Sequence, residues 1–379
     1  MEKLFSDQNV NSGRQAELDL AKCLAIFFMI FLHCYFATSY FENTISVGMQ
    51  RAVSQLFGGP FAAPVFMFAM GVGMVYSKNQ EPAYFIKRGI KLIQLGFFVN
   101  IGEFFVPYFL AGNLLENWEL FPIANGLLLF CIDILAFAGL TFILVGVLKK
   151  LKISAKGMVI VSLILSLIGT FTRFHDFDSN FQNLIAGCFI GSTKLPANIG
   201  DVPNLLAGYF IGSAGGFTAF PLFNWFIFPA VGLLFGEYYI RCNDKVKLLR
   251  FWPLGLVISV AYFIISWFLP HGFLSEMHLY YFMTTLDAMF CLMCIYGVIG
   301  VCYVLSQHLP EGTVSFFSKI SSNLNTIYVI QWFIIPMTYV FIVYYIEGIV
   351  FGDLSLVVIA LLEMVASTLL ASGYKKISL

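Results

Sequence analysis

Three side chains near the start of the chain could do chemistry together: Asp19, Lys22 and His33, in the apolar stretch from Leu18 to Phe36. A neutral imidazole takes a proton from a hydroxyl or an amine near neutral pH. An ammonium group can hold an anionic ligand, and a carboxylate three positions earlier can pair with it. Lys22 and His33 are eleven positions apart. On a helix they therefore share a face to within about 20° and lie about 16 Å apart along the axis. An ionisable group deep in an apolar helix faces protein or water, not lipid. This helix is expected to wall a polar route through a membrane. Plainer readings stand beside that one: His33 as a buried histidine bonded to a neighbouring helix, and Lys22 snorkelling to the membrane surface.

Other residues could serve the same route. Lys87-Arg88-Gly89-Ile90-Lys91 would suit a phosphate-bearing ligand, although basic residues at the cytosolic start of a helix also need only topology to explain them. Glu103, Asp133 and Asp287 fall inside apolar segments, with Asn100, Asn224, Asn325 and Gln331. Each could be a satisfied structural group, or with His33 they could form a proton-coupled path, so a carrier of a small organic solute is the alternative function. No inverted repeat or matching pair of broken helices supports that carrier. His175, Asp176, His271, Glu276 and His278 lie in loops, and the spacing of His271 and His278 makes a poor metal site. No metal is expected. Cys291-x-x-Cys294 sits in an apolar run without a second pair, which favours core packing. Phosphate-loop, nucleophile-elbow and nucleic-acid-binding patterns are missing.

The elements that must position these residues are membrane helices. The 379-residue chain is 59% hydrophobic and 11% charged, against about 25% charged in an ordinary soluble domain. Its apolar runs are continuous, which excludes a β-barrel. The expected fold is all-α and polytopic, with about ten transmembrane helices. They are placed near 18–40, 56–77, 85–111, 122–148, 157–172, 221–240, 251–269, 280–306, 322–346 and 353–373. Of the 21 Lys and Arg, all but Arg51, Arg173 and Lys194 then fall on the side of the termini. By the positive-inside rule both termini are cytosolic. The first helix has no small-residue cleavage site and reads as a retained span. Residues 1–379 read as one domain. Its long extracytoplasmic loop, 173–220, holds apolar pieces too short to span, and re-entrant or interfacial helices are expected there.

These motifs resemble the transmembrane acyltransferase superfamily, which includes acyltransferase-3 proteins and heparan-alpha-glucosaminide N-acetyltransferase with its bacterial relatives. Leu18-Asp19-Leu20-Ala21-Lys22 followed by His33 is similar to the acyltransferase-3 opening, a basic residue, ten residues, then histidine. Arg88-Gly89-Ile90-Lys91 is similar to its second basic motif. The heparan-type branch is resembled by Phe66–Gly73, by Phe220–Trp225 continuing to Gly232 and Gly236, and by Ser322–Tyr328. Lys22-Cys23 departs from the usual arginine-glycine, and the heparan enzyme's catalytic histidine lies outside its first helix. The resemblance implies transfer of an acyl group, commonly acetyl, from cytosolic acyl-CoA to an extracytoplasmic sugar or glycan. It makes His33 the catalyst, and Lys22, Lys87, Arg88 and Lys91 the donor-binding cations. Asp133, Asp287, Glu103, His175, Asp176 and Asn325 are assigned to the acceptor pocket. The expected setting is a bacterial inner membrane, with no nucleic-acid partner; a homodimer is one option for the oligomeric state.

Overall fold

The computed structural model describes residues 4–121, 133–172, 220–266, 280–281 and 283–377. The elements are helical, and among the described residues the only extended pairings are the isolated bridges Phe5–Cys242 and Asn43–Phe351. We number eleven longer helices in chain order: α1 (Ala16–Thr38), α2 (Ala63–Val75), α3 (Pro82–Asn100), α4 (Ile134–Lys150), α5 (Ala155–Thr172) and α6 (Ile227–Tyr239). They continue as α7 (Trp252–Ser266), α8 (Thr285–His308), α9 (Glu311–Ser322), α10 (Leu324–Tyr345) and α11 (Asp353–Ile377). A π-helical turn, Ile101–Phe105, carries α3 on into Val106–Leu114. A described helix overlaps each of the ten expected segments, of which 122–132 and 267–269 lie outside the described residues. Six helical stretches among the described residues are long and apolar enough to cross a membrane. They begin at Ala16, Pro82, Lys245, Thr285, Leu324 and Asp353. α9 was not expected. His175, Asp176 and the rest of 173–219 lie outside the described residues, as do His271, Glu276 and His278.

The central element is α1, which touches α2, α8, α9, α10 and α11. Ala25, Ile26, Ile30 and Cys34 are fully enclosed, which is why its sequence is apolar on nearly every face. Around it the helices pair where small residues let backbones meet. An ideal Cβ on Gly89 would stand 2.5 Å from Gly139 O, and one on Gly139 equally 2.5 Å from Gly89 O, so α3 and α4 pack without side chains between them. Gly71 of α2 abuts Pro229 O, and Gly232 of α6 abuts Phe68 O, each at 2.1 Å from the built Cβ. These contacts join α3 to α4 and α2 to α6, and α2 in turn packs on α1.

Local signals set the helix ends. Pro64 and Pro82 occupy the first turns of α2 and α3, where a missing N–H has no cost. Thr284 and Asp287 form a capping box on α8: Thr284 N donates to Asp287 Oδ2 at 2.8 Å and Asp287 N to Thr284 Oγ1 at 3.1 Å. Cys291 and Cys294 are buried in α8, where Ser259 Oγ donates to Cys294 Sγ at 2.9 Å.

Candidate functional site

Four cavities follow α1 from Asp19 to Tyr40. The first, about 360 Å³, is lined by Arg14, Asp19, Lys22, Gly73 and Ser321 among others. The second, about 420 Å³, shares Lys22, Gly73 and Ser321 with it and adds Arg88, Phe142, Asn323 and Asn325. The third is a chamber of about 100 Å³ walled by His33, Glu103, Asp133, Tyr280, Tyr328 and Trp332. A fourth, about 380 Å³, shares His33, Glu103 and Trp332 with the chamber and ends among Ser39, Tyr40 and Phe121. The lining passes from the second cavity to the third about one turn along α2 (Phe66 to Ala63) and α10 (Asn325 to Tyr328), and between neighbours on α4 (Leu135, Ile134). The stripe read from spacing therefore holds in three dimensions. Lys22 and His33 open on successive compartments of one series.

At the Lys22 end, charge is concentrated. Lys22 Nζ stands 3.7 Å from Asp19 Oδ1. Arg88 lies over the Phe142 ring, 5.0 Å from its centroid, and donates to the Tyr84 hydroxyl at 3.1 Å. The first turn of α10 forms part of the same wall through Leu324, Asn325 and Thr326. Unsatisfied N–H groups and the helix dipole favour an anion there. Lys87 and Lys91 are exposed on α3 and do not line the cavity. Asn325, assigned from sequence to the acceptor pocket, lines this cationic cavity instead.

At the His33 end, the imidazole packs against Trp332 with ring centroids 3.9 Å apart and meets the edge of Tyr328 at 6.2 Å. His33 Nδ1 is buried without a hydrogen-bond partner, as is Glu103 Oε2. The Tyr328 hydroxyl donates to Asp133 Oδ2. Glu103 sits in the π-helical turn, a distortion that is frequent at functional sites because it turns one extra residue out of register. A base, two carboxyl groups and a phenol thus converge on a space of about 100 Å³. Such a set can accept, hold and return a proton. Asp287, by contrast, lines neither cavity beside His33 and is committed to capping α8.

Sequence reasoning missed Tyr328 and Trp332. Their signal was the polar and aromatic stripe Asn325, Tyr328, Gln331 and Trp332, spaced at three and four residues along one face of α10. It also missed Glu363, a further buried acid, whose Oε1 accepts from Thr338 Oγ1 across the α10–α11 contact.

Helix α1 thus carries, in one helical membrane bundle, a cation-lined cavity and a histidine whose Nδ1 is buried. Residues 15–373 match the family described as the acyltransferase domain of the acyltransferase-3 type. The chain belongs to that family of transferases and is a multi-pass integral membrane protein. No curated protein and no solved structure matches it.

Proposed function

We propose that this protein moves an acyl group, acetyl in the first instance, from cytosolic acyl-CoA to an extracytoplasmic sugar or glycan hydroxyl or amine. One observation carries the reading. Lys22 and His33 occupy one helix and open on successive cavities, with the cations in the wider cavity and the base in the narrow one. The CoA phosphates would rest against Lys22, Arg88 and the first turn of α10. The pantetheine arm would reach along α1 and bring the thioester to His33. There the imidazole takes the proton of the acceptor as its oxygen or nitrogen attacks the thioester carbon. The tetrahedral oxyanion collapses, the C–S bond breaks, and the proton passes to the departing CoA thiolate. Glu103 and Asp133 would hold the imidazole and the acceptor hydroxyls. The setting is a bacterial inner membrane with both termini cytosolic.

The test uses purified full-length protein in detergent with acetyl-CoA. His33→Ala should bind acetyl-CoA as the wild type does and turn over about 10²–10⁴-fold more slowly. A His33→Ala protein that folds, binds and turns over at the wild-type rate would exclude the reading. The carrier alternative draws on Glu103 and Asp133 beside His33. It requires solute flux into proteoliposomes without consumption of acetyl-CoA.

A further inference from the structure

Asp19 has no part in the chemistry proposed above, yet its carboxylate is among the most heavily engaged in the molecule. It is only 4% exposed. Its Oδ2 accepts from Arg14 Nε at 3.0 Å and from Ser318 Oγ at 2.8 Å. Its Oδ1 accepts from Ser321 Oγ at 2.6 Å. Lys22 Nζ, at 3.7 Å from Oδ1, is the most distant of the four partners. Arg14 is fixed from a second side, because its Nη2 donates to Ser318 O at 2.6 Å. Lys245, another cation near this end of α1, is committed to Glu17 at 2.6 Å and to Gln15 at 2.5 Å.

A buried carboxylate without a cation is costly, so Asp19 will hold one within reach. Two candidates compete: Arg14, from the segment before the helix, and Lys22, three residues along it. Arg14 makes the closer contact. Lys22 is thereby left turned to the two cavities that it lines in common. We propose that Arg14 is a positioning residue: by neutralising Asp19 it keeps the Lys22 ammonium available to a phosphate-bearing acyl donor. The inference rests on the donor reading given above and adds a residue just outside the matched family segment, which begins at residue 15. Without Arg14, Asp19 would draw Lys22 in from its present 3.7 Å and withdraw its charge from the cavity.

The experiment measures binding of free CoA to full-length protein in detergent by titration calorimetry. Arg14→Gln should raise Kd about fivefold, the scale of one partly exposed ion pair. Arg14→Lys should stay within about twofold of the wild type. The deciding variant is Arg14→Gln combined with Asp19→Asn, where the amide oxygen still accepts from a serine but no longer competes for Lys22. That double variant should recover binding to within about twofold of the wild type. Asp19→Asn alone should bind at least as tightly as the wild type. Wild-type affinity in Arg14→Gln would overturn the proposal, and so would a double variant as weak as Arg14→Gln, which would mean that Arg14 touches the ligand itself. If the wild type fails to bind CoA, the donor reading falls, and this outcome is distinct from the other two.

Discussion

Gly71→Ala tests a close backbone contact between helices and its link to the cationic cavity. A Cβ at that position would stand 2.1 Å from Pro229 O and 2.8 Å from Pro229 C and Cα, against an ordinary contact of 3.4–4 Å. The obstacle is backbone, which cannot swing aside as a side-chain tip can. Helices α2 and α6 must therefore part by about 1 Å, and overpacking of this kind costs about 1–3 kcal/mol. Phe66, Ala69, Met70 and Met74 of α2 form one wall of the cationic cavity, so the wall moves too. The matched control lies two residues on, since a Cβ on Gly73 meets nothing within 4 Å. In a helix interior that replacement gains up to about 1 kcal/mol. Thermal unfolding in detergent, followed by tryptophan fluorescence, should show Gly71→Ala melting about 1–4 °C below the wild type. Gly73→Ala should melt at or above the wild type. A Gly71→Ala protein as stable as Gly73→Ala would refute the packing argument.

Arg88→Ala should raise the Kd for acetyl-CoA about tenfold, the loss of about 1.4 kcal/mol of charge-assisted contact, while Lys87→Ala and Lys91→Ala change it less than threefold in the same titration. An unchanged Kd at all three positions would make the cluster a topological signal only. Tyr328→Phe leaves the Asp133 oxygen without its phenol donor, so stability should fall by about 1–3 kcal/mol and kcat should drop more than KM for acetyl-CoA; an unchanged melting curve and kcat would count against the pairing. Orientation can be read by an impermeant maleimide on intact cells, with Cys131 and Cys188 replaced by serine. Glu119→Cys should label from outside and Lys78→Cys only after lysis, and the reverse pattern would exchange the donor and acceptor sides.

Much of the site was legible because one helix carries its two key residues. A helical period turns an eleven-residue spacing into a shared stripe, and no tertiary knowledge is needed to see that Lys22 and His33 align. Residues contributed by other helices were harder. Glu103 and Asp133 were singled out as acids in apolar runs, but sequence alone did not reveal that they meet Tyr328 and His33. Asn325 and Asp287 show the opposite case. Each is a polar residue in an apolar neighbourhood, yet one faces the cations and the other closes a helix end. The Thr284-x-x-Asp287 pattern is a capping signature and could have been read as one. Helix α9 escaped because Glu311, Lys319 and five serines or threonines make it too polar for a span, while Ser318 and Ser321 bind it to Asp19.

The chamber beside His33 has a consequence for the cell that carries it. About 100 Å³ is room for about three water molecules. Wider spaces lie on either side, and aromatic faces from Phe36, Tyr280, Tyr281 and Trp332 close in between. A hydrated ion does not fit such a gap. An enzyme that joins reactants from opposite faces of a membrane risks short-circuiting the electrical potential across it, worth about 2.3 kcal/mol per charge for each 100 mV. On the proposed reading, in which two reactants meet from opposite faces, this waist is insulation: it holds a few waters and a proton at His33 and leaves no room for a hydrated ion to pass.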